Sequence, residues 1–148
     1  MGASGWDYLV PYRPEVAEAL LDLQAQVFND GDYYDYWTEC SAPRPVTIED
    51  LWAAKESPDF WDVGTHSILD IDKIAGVAEP DSPGAIRAMT PEEMHAVLGT
   101  DRPTRTDFER TSPHRESLLD FPRWSGRYVI LYKDERPDEI AFWGFSGD

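Results

Sequence analysis

Hydrophobic and polar positions divide the chain into short runs of changing period. Residues 6–12, Trp6-Asp7-Tyr8-Leu9-Val10-Pro11-Tyr12, carry the aromatic and branched side chains that suit a pleated surface, and they predict a first strand. Pro11 cannot donate to a ladder, so this strand is expected at a sheet edge or to end there. Pro14 suits a first helical turn. Beyond it Val16, Leu20, Leu23 and Val27 recur at steps of four, three and four, with Ala19 and Phe28 alongside. This one-sided stripe predicts a helix over 14–29, stopped by Gly31.

Thr47 and Asp50 resemble a capping pair and start a helix over 48–55, ended before Pro58. Residues 65–72, Thr65-His66-Ser67-Ile68-Leu69-Asp70-Ile71-Asp72, alternate imperfectly and predict a strand after Gly64. Residues 75–88 read as a loop. Thr90-Pro91-Glu92-Glu93 through Gly99 is the clearest local signal: a cap, a proline in the first turn, a capping-box Glu and a glycine stop. Short helices are expected over 105–110 and near 115–120, before Pro122. At the C-terminal end, Tyr128–Tyr132 and Glu139–Trp143 flank a polar loop and predict a hairpin within 127–145. The first of these strands is apolar on both faces and is expected to be central in its sheet. The order of elements predicts one α+β domain over 1–148: an antiparallel or mixed sheet of about four strands, packed with several short helices.

Composition adds a core and a charge. The chain has 148 residues, 41% hydrophobic and 13% aromatic, enough for a packed interior. It carries 29 acids against 13 Lys and Arg, a formal net charge of −16. Phosphate-backbone binding draws on clustered Lys and Arg, so neither nucleic acid nor an anionic membrane surface is an expected partner. The charge favours a basic protein surface, a metal ion or an amine. It equally suits an acidic bacterial protein whose charge serves solubility alone. With one cysteine, Cys40, no internal disulfide is possible, and a reducing cytoplasm is the expected location. No run approaches the ~18 apolar residues of a membrane span, and the first residues lack the pattern of a secretory leader.

No phosphate-binding glycine loop, nucleophile elbow, zinc-helix motif, CxxC or EF-hand loop occurs, so no cofactor and no metal is expected. Cys40 has no base nearby in sequence to form a thiolate. One constellation hints at catalysis. On a strand, His66, Asp70 and Asp72 share a face, where an imidazole and two carboxylates are the groups of a metal or acid–base site. Against it, residues 66 and 70 lie ~13 Å apart along an extended chain. His95 sits in the capped helix and His114 in a turn, neither with a patterned partner.

Residues 30–39 are the most unusual segment. Asp30, Asp32, Asp35 and Glu39 interleave with Tyr33, Tyr34, Tyr36 and Trp37, with no base among them. Rigid rings beside carboxylates make good anchors for a basic partner. The same rings also serve as core. The charge is lopsided: residues 1–74 hold 15 acids and 4 bases, whereas 75–148 hold 14 and 9. Arg102, Arg105, Arg110, Arg115, Arg123 and Arg127 cluster in the second half, to pair with the acidic half or to hold an anionic group. The leading expectation is an acidic binding protein that engages a basic protein partner, an immunity or inhibitor protein being one concrete form. The alternative is a small hydrolase or isomerase using His66 with Asp70 or Asp72. Oligomeric state has no signature in the sequence.

Overall fold

A computed structural model describes residues 4–112, 115, 119 and 122–147. In chain order the elements are β1 (Gly5–Pro11), α1 (Val16–Asp30), α2 (Tyr36–Glu39), α3 (Ile48–Ala54), α4 (Phe60–Val63), a 3-10 turn (Ile68–Asp70), β2 (Lys73–Ile74), β3 (Ala85–Ala88), α5 (Pro91–Leu98), α6 (Arg105–Arg110), β4 (Gly126–Lys133) and β5 (Arg136–Phe145).

The hairpin β4–β5 organises the sheet. Its turn is only Asp134-Glu135, shorter than the expected polar loop, and both residues are left-handed at φ 52° and 64°. A turn of that hand matches the right-handed twist of the strands it joins. The strand order is β1-β5-β4-β3-β2. β1, β5 and β4 pair antiparallel, while β4, β3 and β2 pair parallel, so the sheet is mixed. β4 is the central strand, as its two apolar faces predict. Tyr128 and Ile130 pack toward α1, and Val129 and Leu131 pack toward α5 and α6. The result is one α+β domain with helices on both faces of its sheet.

One core lies between the sheet and α1 to α4. It includes Leu23, Leu51, Phe60, Ile68 and Leu69. The other lies beneath α5 and α6 and holds Val97, Leu98, Phe108 and Trp143. Near the Gly5 end of β1, Gly126 and Gly144 face each other in register and the Trp6 ring lies across them. A Cβ at Gly144 would sit 2.7 Å from that ring, so side-chain-free residues let the indole lie on the strands.

Two expectations need correction. Residues 65–72 form no strand: Gly64 (φ 70°) and His66 (φ 53°) turn the chain, and Ser67 caps a 3-10 turn. The supposed loop 75–88 ends in β3, and with β2 this brings the expected count of about four strands to five. Residues 36–39, for which the pattern predicts no element, form α2. The helix expected near 115–120 and the turn at His114 lie outside the described residues, apart from Arg115 and Leu119. Among the described residues no helix is long and apolar enough to cross a membrane.

Candidate functional site

The 30–39 tract begins where α1 stops. Gly31 adopts a left-handed conformation and its N–H bonds back to Phe28, while the Asp32 N–H bonds to Val27. The chain then crosses to the 3-10 region, where the Tyr34 N–H donates to the Thr65 carbonyl at 2.8 Å. Asp35 caps α2, accepting from the Thr38 N–H at 3.3 Å and the Thr38 hydroxyl at 2.8 Å. Arg44 folds back over the tract. Its guanidinium lies 4.7 Å above the Tyr33 ring, donates to the Tyr33 hydroxyl and pairs with Asp35 at 3.3 Å.

The rings divide between core and surface. Trp37 is 5% exposed and packs on Tyr33, Tyr36 and Phe60, so it belongs to the core and leaves the exposed set. Tyr33, Tyr34 and Tyr36 are half-buried and keep an edge in water. Burial pushes the Tyr36 phenol above its usual range. Tyr34 stacks on His66, ring centroids 4.7 Å apart, and its hydroxyl donates to Glu39. Asp30, Asp32 and Glu39 are exposed and meet no basic side chain among the described residues. Cys40 is also exposed.

The acidic character runs on through α3 and α4, where Glu49, Asp50, Glu56, Asp59 and Asp62 are exposed. Residues 30–63 hold nine acids and two bases. Both bases are committed inside the molecule, Arg44 to Asp35 and Lys55 to Asp72. The arginines of the second half turn elsewhere. Arg127 is 1% exposed and bridges Asp81 at 2.7 Å and Glu93 at 3.2 Å. Arg87 joins the same two acids. Those arginines hold Asp81 and Glu93 below the usual carboxylate range, although burial alone pushes both upward. Arg115 pairs with Asp7 at 2.9 Å.

The second candidate site is not assembled. Asp70 is wholly buried in the 3-10 turn, where its Oδ1 accepts from the Thr65 N–H at 2.7 Å and the Thr65 hydroxyl at 2.8 Å. Its Oδ2 is buried with no hydrogen-bond partner among the described residues. Burial raises its carboxyl to about 6, against the opposing pull of Thr65, Lys55 and His66. Gly64 makes room beside it, since a Cβ there would strike the Trp124 ring and come within 3.0 Å of Asp70 Oδ1. His66 stacks on Tyr34 instead of joining a catalytic pair. Asp72 is exposed and meets Lys55 at 2.6 Å. A cavity of about 260 Å³ opens at Asp72, lined also by Leu21, Gln24, Trp52, Lys55 and Ile71 but by neither His66 nor Asp70. No group of three or more His, Cys, Asp or Glu is arranged to hold a metal ion among the described residues.

Lys55 went unread in the sequence. Its Nζ donates to Asp72 and, at 3.3 Å, to the Ile71 carbonyl, and it lies 4.5 Å from the Trp52 ring centroid. Burial pushes its ammonium below the usual lysine range, with Asp72 opposing. The signal was present: Ile48, Leu51, Trp52 and Lys55 fall at i, i+3, i+4 and i+7, which puts the lysine on the buried stripe of α3.

No family model matches this chain, and no match is found among curated proteins or solved structures.

Proposed function

We propose that the chain is an acidic binding protein whose α2–α4 layer engages a basic protein partner, as an immunity or inhibitor protein does when it covers a cationic toxin or nuclease. One observation carries the reading. Residues 30–63 expose a run of carboxylates, and the two bases among them are held by internal acids. Such a surface has no complement of its own nearby and draws in a positive one. Fields from several like charges add over the surface and speed encounter, although each exposed pair contributes little once formed. The exposed edges of Tyr33, Tyr34 and Tyr36 supply the contact area that charge alone does not. Action follows by occlusion: the acidic layer covers the partner's functional surface.

Affinity capture at low and high salt tests this, followed by association kinetics with the recovered partner. Recovered proteins are expected to be basic and to elute as salt rises, because the Debye length shrinks from about 10 Å at 0.1 M to about 3 Å at 1 M. The triple variant Asp30→Asn, Asp32→Asn, Glu39→Gln is expected to associate at least tenfold more slowly at low salt and to show a shallower salt dependence. Partners that are neither basic nor salt-sensitive would sink the proposal.

A further inference from the structure

The ladder between β1 and β5 reveals which backbone groups of β1 remain unused. The Tyr12 N–H donates to the Asp138 carbonyl at 3.0 Å, and the Ser146 N–H donates to the Ser4 carbonyl at 2.8 Å. Both pairs continue the register that sets Gly5 opposite Phe145 and Pro11 opposite Glu139. Hydrogen-bonded and non-hydrogen-bonded pairs alternate in an antiparallel ladder. Trp6, Tyr8 and Val10 therefore turn their N–H and C=O groups toward β5. Gly5, Asp7 and Leu9 turn theirs outward, and Pro11 turns out a carbonyl alone. None of these outward groups has a hydrogen-bond partner among the described residues.

A groove runs beside this edge. Two cavities of about 190 and 180 Å³ share Val10, Leu23 and Gln26, so they form one channel between β1 and α1. Its floor is apolar at Val10 and Leu23. Asp22 lines one cavity, and Asp30 and Asp32 line the other. Arg13 answers Asp22, whereas Asp30 and Asp32 have no basic partner among the described residues. Proteins commonly blunt a sheet edge with proline, lysine or brevity. The far edge is brief, since β2 has two residues. β1 has seven and carries its proline only at the end, which leaves Gly5 to Leu9 open among the described residues.

We propose that the outer edge of β1 takes up an extended, basic segment of the partner as an added strand, with alternate side chains seated in the β1–α1 groove. This rests on the reading of a basic partner and specifies how that partner is held. Backbone bonds to Gly5, Asp7 and Leu9 supply affinity, and the groove supplies selectivity. Apolar residues suit its floor, and Lys or Arg suits the rim formed by Asp30 and Asp32. A second copy of this chain is the poorer occupant, because two chains of net charge −16 would bring their acidic surfaces together.

The test is amide hydrogen exchange by NMR on the full chain at low salt, with the probe acetyl-Lys-Val-Lys-Val-Lys-Val-amide. A control peptide of the same side chains and charge has every backbone nitrogen methylated. The Asp7 and Leu9 amides are expected to exchange quickly in the free protein and at least tenfold more slowly with the probe. Those of Tyr8 and Val10 stay protected throughout, and the methylated peptide protects nothing. Leu9→Pro removes one outward N–H without touching the β5 ladder, and it is expected to weaken probe binding at least tenfold. If both peptides bind alike and the outward amides stay fast, charge alone holds the partner: strand addition is wrong while the proposed function stands. If neither peptide binds at low salt, both readings fail. If the outward amides are already slow without peptide and the chain sediments as a dimer, a second copy occupies the edge and the inference is overturned.

Discussion

Asp70→Asn keeps the shape of a buried side chain and removes its ionisation. Asp70 is the one fully buried acid among the described residues, and its carboxyl is raised from the ordinary 3.8 to about 6. The folded protein therefore holds this proton more tightly than the unfolded chain does. Each pKa unit corresponds to about 1.4 kcal/mol, so ionised Asp70 costs the fold about 3 kcal/mol at pH values well above 6. Below 3.8 the cost vanishes, because both states are protonated. Between pH 4 and pH 8 the stability due to this group falls by about 2.5 kcal/mol as pH rises. Asp50, Asp81, Glu93 and Asp107 act with the opposite sign, since their carboxyls are lowered on folding. The variant cancels those contributions when it is subtracted. Asn keeps an acceptor for the two Thr65 donors and places its amide where Oδ2 already lacks a partner. The substitution thus adds an offset of about 1–2 kcal/mol that does not depend on pH. Urea titrations of both proteins from pH 4 to pH 8, followed by tryptophan fluorescence, measure the difference. Wild type minus variant is expected to decline by about 2.5 kcal/mol across that range. Parallel stability profiles would refute the account of a strained, buried carboxylate.

Two further substitutions extend the same physics. Lys55→Met is expected to change stability by less than about 1 kcal/mol in urea titration at pH 7, because Asp72 is 46% exposed and regains water. Asp72→Asn is expected to cost about 2 kcal/mol in the same assay, because it strands an ammonium over Trp52. Glu135→Gly is expected to stabilise the hairpin by about 0.5–1 kcal/mol, read as a shift in urea midpoint, since Glu135 holds φ 64° and glycine adopts that region freely.

What could be read from the sequence was local chemistry. Thr90, Pro91, Glu93 and Gly99 each act within one helical turn, and α5 has both the capping box and the glycine stop they imply. The two apolar faces of residues 128–132 identified a strand covered on both sides, because burial on each face leaves its own trace in composition. β2 and β3 left no trace, for they are two and four residues long, and β3 finds its partner β4 only 40 residues on. Residues 65–72 misled for a related reason. Ile68, Leu69 and Ile71 are all buried, yet a left-handed His66 supplies the turn, and histidine does not announce that conformation. Once the strand is gone, the face that gathered His66, Asp70 and Asp72 goes with it. The 30–39 tract was visible as composition, but its division into a buried Trp37 and exposed acids depends on α2 docking against Phe60, a tertiary event.

The pairing of β1 with β5 also sets a timetable. β1 waits for β5, which is made long after it, because Gly5 lies opposite Phe145. At about 5–20 residues per second, a ribosome needs roughly 7–28 s to make the intervening chain. For that interval Tyr8 and Val10 have α1 for company, but the strand has no ladder on either side. A nascent chain stalled before β5 therefore carries two open edges on one strand, and a stall there invites aggregation.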